Sequence, residues 1–247
     1  MCKLLLWIAL PALSFAQQHM VVPLADPARP VTMKISVLHG SITVRGYNGR
    51  EVLVDTKGGG EPRREAPHEG LHRIDAGSSD LTIESENNVV SISQRSFQSG
   101  DITVQTPVNT TVKVKTMNGG SITIEGIAGD TEAQNLNGAV TVRNASGSVV
   151  ASTLNGAVTV VLAKAAAGKP MSFSSLNGNV DVTLPPDIHA DFALKTMRGE
   201  IHSDFDVSKS GRSGVKVQSE LSGAVNGGGP EFQFRTLNGN IYIRKGK

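Results

Sequence analysis

The heptapeptide LNGAVTV is written twice, at Leu136–Val142 and at Leu154–Val160, eighteen residues apart. Relatives of it begin at Leu38 (LHGSITV), Met117 (MNGGSITI), Leu176 (LNGNVDV), Met197 (MRGEIHS) and Leu237 (LNGNIYI). An alternating stretch precedes each one: TVKVKTM before Asn118, SVVASTL before Asn155 and FQFRTL before Asn238. The unit is apolar-x-apolar-x-(Thr/Ser/Asn)-(Leu/Met)-Asn-Gly-x-apolar-x-apolar. Period-two alternation buries one face of a strand and leaves the other wet. The chain is therefore read as all-β.

The turn residues of the repeat are Asn118-Gly119, Asn137-Gly138, Asn155-Gly156, Asn177-Gly178, Gly199 and Asn238-Gly239. A tight reversal needs positive φ, which Gly reaches freely and Asn more easily than other residues with a Cβ. The glycine spacings are 19, 18, 22, 21 and 40, and a degenerate LSGAV around Gly223 partly fills the last. Two architectures fit. An antiparallel hairpin meander would pair Thr153 with Val158 across the turn. A two-sided parallel β-solenoid, with rungs of about 20 residues, would stack each turn on the next. The solenoid is preferred, because stacking places identical side chains in register, Leu on Leu and Asn on Asn. Val140 and Val158 are then parallel neighbours, and the asparagines form an amide ladder.

Outside the repeats, MCKLLLWIALPALSFA at residues 1–16 has the layout of a secretory signal: one basic residue, a short apolar run and small residues before the expected cleavage. Residues 17–30 are expected to be flexible. Residues 31–247 read as one solenoid domain with an irregular Gly-, Pro- and charge-rich insertion at 58–80. The single cysteine, Cys2, falls within the signal, so the mature chain has no thiol for a disulfide, a zinc site or a nucleophile. No later stretch has the eighteen consecutive apolar residues of a membrane-spanning helix. Without Lys3 the chain carries 23 basic and 22 acidic residues, intermixed, and only two tyrosines. Nucleic acid, which calls for a concentrated basic face and stacking aromatics, is not an expected partner.

The stretches GSITVRGYNGREVLVDT and GLHRIDAGSSDLTIESENNVVSIS, with the run of NGAVTV-type rungs, resemble the bacterial putative-adhesin family, domain-of-unknown-function family 4097. The resemblance covers roughly residues 31–245. It implies an exported or envelope-associated β-solenoid, and the family supplies no catalytic residues to carry over.

Two constellations could carry chemistry. His68-Glu69-Gly70-Leu71-His72 satisfies the H-E-x-x-H zinc pattern. Pro67 and Gly70 disfavour the helix it needs, Asp75 and Ser78 stand where an extended motif places Gly and His, and Glu84 or Glu86 would have to supply a third ligand from a strand. No metal or cofactor is therefore expected. In EIHSDFD, alternation turns Glu200, His202 and Asp204 outward, with Asp181 near His202 from the preceding rung. Such carboxylates could cleave a glycoside or hold calcium, but every rung has a solvated polar side.

The expected function is a non-enzymatic, exported putative adhesin or cell-envelope interaction domain, periplasmic, surface-bound or secreted, with a glycan or protein partner. The alternatives are a carbohydrate-binding or polysaccharide-cleaving β-helix, and an accessory or sensing domain of an envelope-stress pathway. Nothing in the sequence indicates the oligomeric state.

Overall fold

A computed structural model describes residues 18–26, 29–57, 81–94, 100–164, 166, 168–209 and 220–246. Among these there is no helix, and the strands form two sheets of ten and eleven strands. Each rung contributes one strand to each sheet, and in five rungs an Asn-Gly corner joins the two. Val140–Ala145 lies parallel to Val158–Leu162, with Val140 opposite Val158. On the other sheet Thr131–Asn137 lies parallel to Val149–Asn155, with Asn137 opposite Asn155. The fold is thus the two-sided parallel solenoid, and the meander pairing of Thr153 with Val158 does not occur.

Alternation builds the core directly. Val149, Ala151 and Thr153 are buried, while Val150 between the first two and Leu154 after the last are exposed. One sheet presents a nearly uniform inner file of Val and Ile, from Ile102 and Ile42 through Val140 and Val158 to Val180 and Ile241. The other widens from Ala133 and Ala151 to an aromatic cluster, in which Phe173 and Phe192 lie 5.2 Å and 5.3 Å from Phe234 between ring centroids.

Spatial order departs from chain order at both ends of the stack. Ile42–Tyr47 lies between Asp101–Pro107 and Ile122–Glu125, so the first repeat is second in the stack. At the far end Glu231–Asn238 lies between Met171–Asn177 and Ala190–Thr196. Its continuation, Ile241–Lys245, separates Val180–Leu184 from Ile201–Ser203. The expected sequential stacking is corrected accordingly. The LSGAV segment is not a degenerate rung: Glu220–Val225 runs antiparallel to Ala190–Thr196 and covers that edge.

Antiparallel strands also close the other end. Val52–Lys57 pairs with Asp101–Pro107, and Leu81–Glu86 forms a hairpin with Val89–Gln94. Its two-residue turn, Asn87-Asn88, has positive φ at both positions (50° and 60°), as a type I′ turn demands. Gln18–Val22 adds antiparallel to Val52–Lys57. Part of the segment expected to be flexible is therefore sheet. Edge strands are aggregation hazards, and these covers leave little open parallel edge. The irregular insertion at 58–80 lies outside the described residues, as does the signal-like segment.

The corner and the outer face as candidate functional site

The repeat's Asn-Gly corner was expected to serve backbone conformation. Gly119 (φ 80°) and Gly138 (φ 154°) fit that expectation, but Gly156, Gly178, Gly199 and Gly239 are outside the positive-φ region. Their need for glycine is clearance. A Cβ on Gly156 would stand 2.5 Å from the carbonyl carbon of Gly138 and 2.9 Å from Ala139 N. The same close approach runs up a column from Gly40 through Gly120, Gly138, Gly156, Gly178 and Gly239 to Gly199. In MNGG the stacking residue is Gly120, and Gly119 is an extra residue with open space around it.

Two files of side chains brace this column. In three successive rungs the buried Thr/Ser/Asn position donates to the glycine carbonyl of the neighbouring rung: Asn135 Nδ2 to Gly120 O, Thr153 Oγ1 to Gly138 O and Ser175 Oγ to Gly156 O, each 2.8 Å. The turn asparagines form the amide ladder. Asn137 donates to Asn118 (3.2 Å), Asn155 to Asn137 (2.8 Å), Asn177 to Asn155 (2.7 Å) and Asn238 to Asn177 (2.7 Å). Asn155→Ala should break two of these bonds and cost about 1 kcal/mol in urea denaturation, at the modest level of exposed neutral bonds. The Leu/Met file beside the ladder points outward, with Leu154 38% and Met197 59% exposed.

The broad outer face of the Val/Ile sheet is where the repeat varies. The outward residue that follows the first apolar position of each strand forms one straight file in register: Thr103, Thr43, Thr123, Thr141, Thr159, Asp181, Tyr242 and His202. At about 4.8 Å per strand, it presents five threonines and then a polar, aromatic end.

That end contains the four outward residues singled out from the sequence. Asp181 accepts a bidentate pair from Arg244, at 2.9 Å from Nε and 3.1 Å from Nη2. These hydrogen bonds, and then the carboxylate's charge, raise the guanidinium pKa above its ordinary value. His202 stacks on Tyr242 with centroids 5.1 Å apart and planes 11° from parallel, and Arg244 Cζ lies 5.4 Å from the Tyr242 ring centre. Glu200 Oε2 is 3.2 Å from His202 Nε2, and Asp204 Oδ2 accepts from Lys245 N. Asn240 donates to the Tyr242 hydroxyl and accepts from Glu200 N, both at 2.9 Å.

One expectation fails here. Asp181 is not a neighbour of His202, because the inserted rung places Tyr242 between them, leaving the two about two strand spacings apart. Tyr242, Arg244 and Asn240, which hold the patch together, went unnoticed in the sequence, although Tyr242 occupies the same repeat position as Asp181 and the threonines. No group of three or more His, Cys, Asp or Glu that could hold a metal occurs among the described residues. His68 and His72 lie outside them.

The sequence profile of the Toastrack family, DUF4097, matches residues 69–244. The chain belongs to the Toastrack family. Among solved structures, this Toastrack chain is similar to a "putative cell adhesion protein" from Clostridium sporogenes ATCC 15579. The identity is 11%, the match covers 94% of this chain and 100% of that one, and the TM-score is 0.49. No curated protein matches the chain. Among the described residues no helix of this Toastrack protein is long and apolar enough to cross a membrane.

Proposed function

We propose that the chain is an exported, non-enzymatic interaction module of the adhesin type, acting at the cell envelope or beyond it. In this reading it grips an extended partner, glycan or protein, along the threonine-bearing face. The observation that carries the reading is the straight file from Thr103 to His202. Its polar groups repeat at strand spacing on a rigid scaffold, so a partner meets them already ordered and the entropy lost on binding is reduced. A linear partner with its own repeat is what such a surface suits. The polar end formed by Asp181, Tyr242, Arg244 and His202 favours carbohydrate within that range, since it sets stacked aromatic rings beside a paired guanidinium and carboxylate. Export rests on the layout of residues 1–16 and places the mature start at Gln17.

The test is a glycan-array and cell-binding assay on chain beginning at Gln17, confirmed by mass spectrometry of the exported protein. Binding should be lost, with the fold retained, when Thr123 and Thr141 are both replaced by lysine. Binding that survives this pair of substitutions would rule out the threonine face.

A further inference from the structure

The opposite sheet carries a feature that the threonine face does not explain. Its outer surface is a ladder of alternating columns, and over the rungs containing Thr32–His39, Val89–Gln94 and Thr111–Asn118 it sinks into a trough of about 390 Å³. That volume is at the small end of ligand-holding clefts. The depression follows from side-chain length. Ser91 and Ser93 lie beside Lys34 and Ser36, which lie beside Lys113 and Lys115. Three short hydroxyl side chains therefore form a floor under three long ammonium side chains. Gln134 closes one wall.

The charge arrangement is unbalanced. Lys34 stands directly opposite Lys113 on the adjacent strand, and like charges so placed repel and destabilise a sheet. Lys113 is matched by Glu132 at 3.3 Å, and Glu132 also accepts from Gln134 Nε2 at 2.9 Å. Neither Lys34 nor Lys115 has an ion-pair partner among the described residues. Glu84 stands beyond Ser91 on the hairpin strand, so carboxylates bound the column at both ends and the positive potential is centred on Lys34, Lys113 and Lys115. Two unmatched ammonium groups and a hydroxyl floor form a donor set for an oxyanion attached to a polyhydroxylated body.

We propose that this trough binds an anionic saccharide: a sugar bearing sulfate, phosphate or carboxylate. The anion sits between Lys34 and Lys115, and the sugar hydroxyls meet Ser36, Ser91, Ser93 and Gln134. The site is separate from the threonine face and does not depend on its role.

Titration calorimetry on the chain beginning at Gln17 tests this with four probes: a heparin-derived tetrasaccharide, maltotetraose, inorganic sulfate and phosphatidylglycerol vesicles. The tetrasaccharide should bind at least tenfold more tightly than maltotetraose or sulfate. Lys34→Gln/Lys115→Gln should weaken it at least tenfold, whereas Arg45→Gln/Arg143→Gln, which removes equal charge from the opposite sheet, should change it less than twofold. Circular dichroism checks that both variants are folded. Equal loss in the two variants would reduce the effect to net charge, and sulfate binding as tightly as the tetrasaccharide would leave only an ion site. Vesicle binding that alone depends on Lys34 and Lys115 would assign the trough to a membrane. Each of these three outcomes overturns the proposal.

Discussion

Gly156→Ala should destabilise the solenoid by about 3 kcal/mol or more, at or beyond the upper end of what overpacking costs. The sign is informative, because Gly→Ala at an ordinary φ usually stabilises by about 0.4–1 kcal/mol through the unfolded chain. Here the added Cβ meets backbone, the carbonyl carbon of Gly138 and the amide of Ala139. Backbone cannot rotate away as a side chain would. Relief would require the two rungs to part, stretching the bond from Thr153 Oγ1 to Gly138 O and the bond from Gly138 N to Asn155 O, each 2.8 Å. Thr159→Val, three residues on and outward-facing, should stay within about 0.5 kcal/mol. Urea midpoints of the two variants, compared at unchanged slope, decide the matter. Similar midpoints would refute clearance as the reason for the glycine column.

Phe234→Ala should cost about 3–5 kcal/mol, as expected for emptying a fully buried aromatic site. Phe234 touches Phe173 on one neighbouring rung and Phe192 on the other, and is 0% exposed. The cavity would therefore open between three rungs. Phe205→Ala should cost less, because Phe205 lies beyond the short strand Ile201–Ser203 and touches Phe192 alone among the described phenylalanines. The contrast tests the insertion of Glu231–Asn238. In a stack that followed chain order Phe234 would be at the end, and its loss would cost no more than that of Phe205.

The rung itself was legible in the sequence, and so was the register within it. Alternation in SVVASTLNGAVTV decides which side chains face inward, and recurrence of the unit decides that rungs stack. The order of stacking was not legible. Val180 meets nearly the same surface whether its next neighbour is Ile201, as chain order would have it, or Ile241, as observed, so periodic apolar positions identify a neighbour's type without saying which rung supplies it. The same blindness produced the misplaced Asp181–His202 contact. Tyr242 could have been found by alignment at its repeat position, but its place between those two residues depends on the inserted rung. The glycine column shows a different limit. Asn-Gly is a turn signature, and a sequence does not distinguish a glycine needed for φ from one needed because another backbone passes close by. The lysine trough was hidden because Lys34, Ser91 and Lys113 are far apart along the chain and meet only through the displaced first rung.

That displacement at both ends bears on how the molecule is assembled during synthesis. A coil wound in chain order could add each turn to the one before and keep a growing edge at the front. Here Ala190–Thr196 and Ile201–Ser203 emerge before the strands that will separate them from Met171–Asn177 and Val180–Leu184. Their seats must be held open, or vacated, until Glu231–Asn238 and Ile241–Lys245 arrive. The final segment acts as a keystone: winding from the start of the chain can reach the sixth rung in the stack, and the remaining two close together or not at all.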